Sequence, residues 1–274
     1  MKRKDAETMI KTTPIKSMEG AFSVAGKNVV VTGGATGIGY GIATAFAQSA
    51  AHVAILDIRD GREAAADMRG YGVRSEAFEC DISDIESVKT AVDAVYGFFD
   101  RVDVLVNNAG VGATTEFLAD EEMGEWRRVI GINLQGAANM IHTIAPKMKA
   151  AGLGGEIISI SSVGGQRILN LQNGHHTPSY SVAKAGIDHF TRYLAADLGA
   201  FGIRVNAIAP GPTHSNLDAE LPPAAIASVE KDLPTHRFGE PIEIGALCVF
   251  LSSPAARQIT GCIYAHDGGQ LCVS

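Results

Sequence analysis

This 274-residue chain has one tryptophan, four cysteines and no apolar run of the roughly 20 residues that a membrane-spanning helix needs. Its most apolar stretches, VAILDI and ALCVFLSS, are cut short by charge or hydroxyls. The mean hydropathy of +0.11 therefore points to a well-filled core and not to a membrane partner. Cys80, Cys248, Cys262 and Cys272 make no C-x-x-C pair, and no His/Cys cluster has metal-ligand spacing. Neither a metal site nor a disulfide framework is expected. Reduced, buried thiols are, as in a cytoplasmic protein. Positive charge is also scarce: 23 Lys and Arg against 30 Asp and Glu leave a net −7, without a basic cluster to meet nucleic acid. The opening MKRKDAETMIKTTPIKSMEG lacks the apolar core of a secretory signal. Residues 1–24 are expected to form a flexible tail.

From residue 25 onward, β-branched runs alternate with helix-period segments. The strands expected are KNVVVTGG, HVAILDIRD, VRSEAFECDIS, RVDVLVNNAG, GEIISISS, IRVNAIAPG and GCIYAHDGG. Between them come GIGYGIATAFAQSAA, GREAAADMRGYG, DIESVKTAVDAVYGFF with an aspartate cap, EEMGEWRRVIGINLQGAANMIHTIAPKMKAAG as one long helical stretch, SYSVAKAGIDHFTRYLAADLGAFG and PIEIGALCVFLSS. Alternation of this kind predicts an α/β fold, a doubly wound parallel sheet with helices on both faces. The strands are apolar almost throughout, as strands covered on both faces must be. One domain, 25–274, accounts for the pattern. Trp126 reads as a packing residue. Ligands in such sheets bind outside the carboxyl ends of the strands, so the residues that end each strand are the ones to weigh.

The first strand ends in TGGATGIG, Thr32 to Gly39, which opens the first helix. Gly33, Gly37 and Gly39 let the backbone turn sharply, and the helix N-terminus offers free N–H groups to a pyrophosphate. The spacing is G-x-x-x-G-x-G and differs from G-x-G-x-x-G. Asp57 ends the second strand and can accept hydrogen bonds from the adenosine ribose, where a carboxylate repels a 2′-phosphate. It is followed by Ile58, so NAD is expected over NADP, with Arg59 the one residue that weighs against this. Tyr180 and Lys184, four residues apart in PSYSVAKAG, share a helix face. A tyrosine near its ordinary pKa of about 10 is a poor base at neutral pH. A lysine ammonium beside it lowers that value usefully only where water is excluded.

Together these residues resemble the short-chain dehydrogenase/reductase family in its shorter, single-domain branch, over about residues 25–270. The family's T-G-x-x-x-G-x-G, N-N-A-G, helix asparagine, serine after the fifth strand, Tyr-x-x-x-Lys, P-G and late D-G-G all occur here in order. The resemblance implies a Rossmann-type fold and hydride transfer between NAD and a small-molecule secondary alcohol or ketone. It implies a catalytic set of Asn133, Ser162, Tyr180 and Lys184, with Ser161 as the alternative serine. Tyr180 would be the acid/base and Ser162 would steady the substrate oxygen. Lys184 would lower the Tyr180 pKa and hold the nicotinamide ribose, and Asn133 would hold a proton-relaying water. The cofactor-binding set it implies is Gly33, Thr36, Gly37, Ile38, Gly39, Asp57, Asp81, Ile82, Asn108, Ala109, Gly110, Tyr180, Lys184, Pro210, Gly211, Thr213 and Ser215. A homo-oligomer, tetramer or dimer, is expected on the same ground.

In two places the chain departs from the family's close members. Ser162 stands eighteen residues before Tyr180, a longer gap than usual, which makes 168–178 an inserted loop with His175 and His176 beside the substrate. The amide-binding threonine is replaced by Ser215. The segment 212–238, broken by Pro222 and Pro223, reads as a substrate lid. Three other readings compete. They are an NADPH-dependent 3-oxoacyl-thioester reductase, which Asp57 opposes; a dinucleotide-binding sensor without catalysis, which the retained Ser162, Tyr180 and Lys184 oppose; and a sugar epimerase, whose relatives have a longer chain.

Overall fold

The computed structural model describes residues 14–168, 178–215 and 222–273. Seven strands run parallel in one sheet: β1 (Asn28–Thr32), β2 (His52–Asp57), β3 (Ser75–Glu79), β4 (Val104–Asn107), β5 (Gly155–Ile160), β6 (Ile203–Pro210) and β7 (Ile263–His266). Their spatial order is β3-β2-β1-β4-β5-β6-β7. The chain winds outward from β1 to β3, then returns to the other side of β1 at β4. The direction of winding therefore reverses between β1 and β4, where a crevice opens at the carboxyl ends.

The helices are α1 (Met18–Phe22), α2 (Gly37–Gln48), α3 (Arg62–Arg69), α4 (Ile85–Phe98), α5 (Gly124–Ile130), α6 (Ala137–Ala151), α7 (Pro178–Leu198), α8 (Pro223–Asp232), α9 (Pro241–Ser252) and α10 (Gln270–Val273). The strands look uniformly apolar in sequence, yet they divide residue by residue between two cores. Val29, Val31, Val53, Ile55, Val104 and Val106 pack with Ile42, Phe46, Ile244 and Leu251 on the α2–α9 side. Val30, Leu56, Leu105, Ile157 and Val205 pack with Val92, Phe99, Met140, Ile144 and Leu198 on the other. Asp84 caps α4 through the Glu86 N–H, as its sequence implies.

In three places the structure departs from expectation. The tail is part of the body from residue 17: Ser17 caps α1, Ala21 and Val24 are buried, and Phe22 lies 6.1 Å from Phe250, ring to ring. A short amphipathic helix of this kind has too few residues to show a period in the sequence. The long helical stretch of 121–152 is instead α5, a π-helical turn over Gly131–Gly136, then α6. Only Cys80 and Cys248 are buried; Cys262 and Cys272 are exposed. Both of these lie near the carboxyl end of the chain, where the edge strand β7 and the short α10 have less to cover them.

α2 carries the glycine-rich turn at its start, and α9 holds α2 in place. A Cβ on Gly41 would overlap the Pro241 ring and stand 2.6 Å from its carbonyl carbon. One on Gly245 would stand 2.6 Å from Ala45 Cβ. Gly41→Ala is therefore expected to cost about 1–3 kcal/mol in a urea titration, in spite of alanine's better helix propensity. Gly97→Ala, where a Cβ meets nothing within 4 Å, is expected to be neutral or to stabilise by up to about 1 kcal/mol.

Candidate active site

At the β1–β4 crevice, the Thr32–Gly39 turn and Asn107–Gly110 are pressed together. Thr32 Oγ1 accepts from the N–H groups of Asn108 (3.0 Å) and Ala109 (3.1 Å). Asn108 Nδ2 donates back to the carbonyls of Thr32 (2.9 Å) and Gly33 (3.1 Å). Gly33 has φ +63°, and a Cβ there would stand 2.8 Å from Ala109 Cα. A Cβ on Gly39 would overlap the Gly33 carbonyl oxygen and Asn108 Nδ2. Side chains are thus excluded from the crevice floor by the packing of the turn itself. Thr36 stands at the N-cap of α2 without a side-chain cap bond, and no acidic residue occupies the first turn. The leading N–H groups of a twelve-residue helix are left to bind an anion.

Asp57, at the end of β2, is buried. One carboxylate oxygen accepts from the Ala35 N–H (3.0 Å) and the other from the Arg59 N–H (2.9 Å). It therefore also fastens the turn. The Arg59 guanidinium reaches across to Thr36 Oγ1 (3.3 Å). Asp81 accepts from the Ser83 N–H and hydroxyl through one oxygen. Ile82 is buried and takes the space beside Gly136, on the π-turn.

The π-turn puts Asn133 below Gly110. Asn133 Oδ1 accepts from the Val111 N–H (2.7 Å), and its Nδ2 donates to the Val111 carbonyl (2.8 Å). A Cβ on Gly110 would be 3.0 Å from Asn133 Oδ1 and 3.6 Å from Lys184 Nζ, so these two side chains converge on one spot. Lys184 Nζ donates to the Ile160 carbonyl (2.7 Å) and stands 5.6 Å from the centre of the Tyr180 ring. Ser162, two residues past the end of β5, accepts from the Gly164 N–H (3.0 Å) and hydrogen-bonds with Tyr180. Ser161 points the other way, donating to the Lys184 carbonyl (3.2 Å). Of the two candidate serines, Ser162 is the one at the tyrosine.

Burial raises the Tyr180 phenol above its ordinary value, and the Ser162 hydrogen bond pulls only partly against it. The Lys184 ammonium is itself lowered to about 8 by burial, with Asp188 acting against that fall. Desolvation takes its toll on both members of the pair before their mutual attraction counts.

The far wall comes from β6 onward. Pro210 ends β6, and a Cβ on Gly211 would stand 2.8 Å from Asp267 Cα. Thr213 is buried, bonds the Gly211 carbonyl through its hydroxyl (3.1 Å) and pairs with Gly239, while Ser215 is half-buried. Trp126 packs on Phe117, 5.4 Å between ring centres. His175 and His176, most of the inserted loop and residues 216–221 of the expected lid lie outside the described residues. A groove of about 730 Å³ between α6 and α7, walled by His142, Pro146, Phe190 and Leu194, shares no residue with this set. Reading the sequence did not single out the π-turn, which no residue type announces, or Asp188, one helical turn beyond Lys184.

Residues 33–270 match a family profile described as enoyl-(acyl carrier protein) reductase. Cis-4-hydroxycyclohexanecarboxylate dehydrogenase of Sinomonas cyclohexanicum is 38% identical over 245 residues, covering 89% of this chain and 96% of the relative. D-threitol dehydrogenase of Mycolicibacterium smegmatis is 38% identical over 259 residues, covering 92% and 96%. Among solved structures, the NADPH-dependent 3-quinuclidinone reductase of Rhodotorula rubra superimposes with a TM-score of 0.85 at 30% identity, covering 96% of this chain and 98% of its own.

Thr32 is the knot of the crevice. Thr32→Val would leave the Asn108 and Ala109 N–H groups without their acceptor, at about 1–3 kcal/mol per buried group. We expect a loss of at least about 2 kcal/mol in urea denaturation. Thr32→Ser, which keeps the hydroxyl, should recover most of it.

Proposed function

From the premise that this chain belongs to the short-chain dehydrogenase/reductase family, we propose that it is an NAD(H)-dependent oxidoreductase of secondary alcohols and ketones. The observation that carries this reading is the convergence of Ser162, Tyr180, Lys184 and Asn133 beside Gly110, in the crevice that also holds the uncapped start of α2. The residues present fit a dinucleotide. The α2 N-terminus after Gly33, Thr36, Gly37, Ile38 and Gly39 would take the pyrophosphate. Asp57 would take the adenosine ribose, and Asp81 and Ile82 the adenine. Asn108, Ala109 and Gly110 would face the cofactor from β4. Lys184 would hold the second ribose, and Pro210, Gly211, Thr213 and Ser215 the nicotinamide amide. When bound, the nicotinamide supplies or accepts the hydride.

The chain's own groups handle the proton. Tyr180 gives its phenol proton to the oxygen of a ketone, or takes one from an alcohol. Burial keeps that phenol protonated at neutral pH, which suits reduction. Oxidation needs the phenolate, which the Lys184 ammonium favours. Ser162 donates to the substrate oxygen as it gains charge. Asn133, tied to both backbone groups of Val111, fixes the loop after β4 and keeps one lone pair of Oδ1 for a water beside Lys184. The two relatives above are named for compounds that bear secondary hydroxyls, and this supports the same substrate class here.

NAD is preferred because a carboxylate at the end of β2 would repel a 2′-phosphate on the adenosine ribose. The second reading, an NADPH-dependent reductase of 3-oxoacyl thioesters, draws on Arg59 at the same rim and on the NADPH-dependent structural neighbour. A homotetramer or dimer belongs to the proposal. The open edge of β7 and the exposed Val182 and Tyr193 of α7 offer surface for it, and sedimentation velocity reads it directly.

Initial rates with NADH should exceed those with NADPH, and Asp57→Asn should narrow the ratio. Equal or faster NADPH rates in the parent would reverse the cofactor assignment. Tyr180→Phe should leave NADH binding within about twofold while kcat falls by about 10²–10⁴. If turnover survives within about tenfold, Tyr180 is not the acid/base. Because the phenol is raised, alcohol oxidation should climb as pH rises above neutral while ketone reduction declines, read from pH–rate profiles in both directions.

A further inference from the structure

Asp188 is 5% exposed, deeper than most aspartates, and stands one helical turn beyond Lys184 on α7. Tyr180, Lys184 and Asp188 therefore succeed one another at four-residue intervals along one stripe of the helix. Asp188 Oδ1 is buried and has no hydrogen-bond partner among the described residues. Asp188 is also a wall of a cavity of about 510 Å³, with Gly165, Gln166, Arg192, Gly261 and Ile263. Burying a carboxylate here is costly.

Two contacts link this carboxylate to the reacting groups. Ser161 Oγ lies between the Lys184 carbonyl, to which it donates at 3.2 Å, and the Asp188 carboxylate, with which it also hydrogen-bonds. One hydroxyl proton serves one acceptor at a time, so Ser161 couples Asp188 to the Lys184 backbone. Ser161 directly precedes Ser162, and the turn that follows is pressed onto α7. A Cβ on Gly165 would stand 2.7 Å from the Lys184 carbonyl carbon and 2.8 Å from the Ala185 nitrogen. The second link is charge. Lys184 is buried, and Asp188 is the charged group that acts on it. The charges acting on Asp188 are Lys184 and the exposed Arg192, both on α7. From the β5–α7 connection it meets Ser161, and the remaining cavity walls, Gly165, Gln166, Ala185, Gly261 and Ile263, do not titrate. Burial raises the Asp188 carboxyl, and the Ser161 hydrogen bond, then Arg192, then Lys184 act against that rise; of the two cations, Lys184 is the buried one.

We propose that Asp188 is a positioning residue for the reacting pair: its buried carboxylate keeps Lys184 in the ammonium form and seats Ser161, and with it the Ser162 turn, against α7. This rests on the acid/base reading of Tyr180 and Lys184. Without Asp188 the burial of Lys184 is unopposed, the ammonium is lost at lower pH, and the phenolate of Tyr180 loses its support.

The test reads Lys184 directly. In protein labelled with ¹³C at lysine Cε, the Lys184 resonance is assigned by its disappearance in Lys184→Arg and titrated with pH, without substrate. Asp188→Asn should lower its midpoint by about one unit or more, and Asp188→Glu should restore it. Asp188→Ser, smaller and equally neutral, is read in parallel, so that a packing defect in one variant does not decide the result. An unmoved midpoint in the neutral variants overturns the inference. In pH–rate profiles the rising limb of alcohol oxidation should shift to higher pH in Asp188→Asn and return in Asp188→Glu. If the Lys184 midpoint moves and the rates do not follow, the charge assignment stands and the Tyr180–Lys184 reading fails instead.

Discussion

The close approach of the Thr32–Gly39 turn to Asn108 is the contact on which the rest of the site depends. It joins β1 to β4 where the winding of the sheet reverses, through four hydrogen bonds of 2.9 to 3.1 Å and two positions that exclude any Cβ. No ladder bond can serve there, because the strands have ended. A threonine hydroxyl and an asparagine amide take over the pairing of backbone groups that would otherwise be buried unsatisfied. The result is a floor of bare backbone beside an uncapped helix start, a surface from which side chains are excluded.

Above that floor, burial and charge oppose one another. Desolvation raises the phenol of Tyr180 and lowers the ammonium of Lys184, so each is pushed toward its neutral form. The hydrogen bond from Ser162 and the charge of Asp188 push back. Of the two, Lys184, lowered to about 8, is the one brought near neutral pH. The same balance recurs at the opposite ends of the strands. There Glu156, raised to about 8 by burial, sits against Arg204 and Asn206. The difference is access: Glu156 is enclosed by the starts of the strands, and Tyr180 stands at their open ends.

Much of this was legible from residue types. Asparagine, glycine and serine at strand ends, and tyrosine and lysine one turn apart, have few reasons to occur together in order. All seven strands were visible as β-branched runs, and Asp84 as a cap. The π-turn at Asn133 was not, because its sequence, GINLQG, has the composition of an ordinary helix. The extra residue per turn is demanded by the packing of Gly136 on Ile82 and by the bonds of Asn133 to Val111. α1 was invisible for its shortness, and Asp188 because an aspartate in an amphipathic helix ordinarily faces water.

The sequence by itself determined the order of strands and helices, the bare turn after β1 and the shared face of Tyr180 and Lys184, since these follow from periodicity and from what glycine lacks. Tertiary structure alone decided which serine meets the tyrosine, how far burial outweighs the Tyr180–Lys184 attraction, and that an aspartate on α7 turns inward behind the lysine. Each of those depends on how closely the β5–α7 connection is pressed onto the helix, a distance set by the whole sheet and by no local stretch of residues.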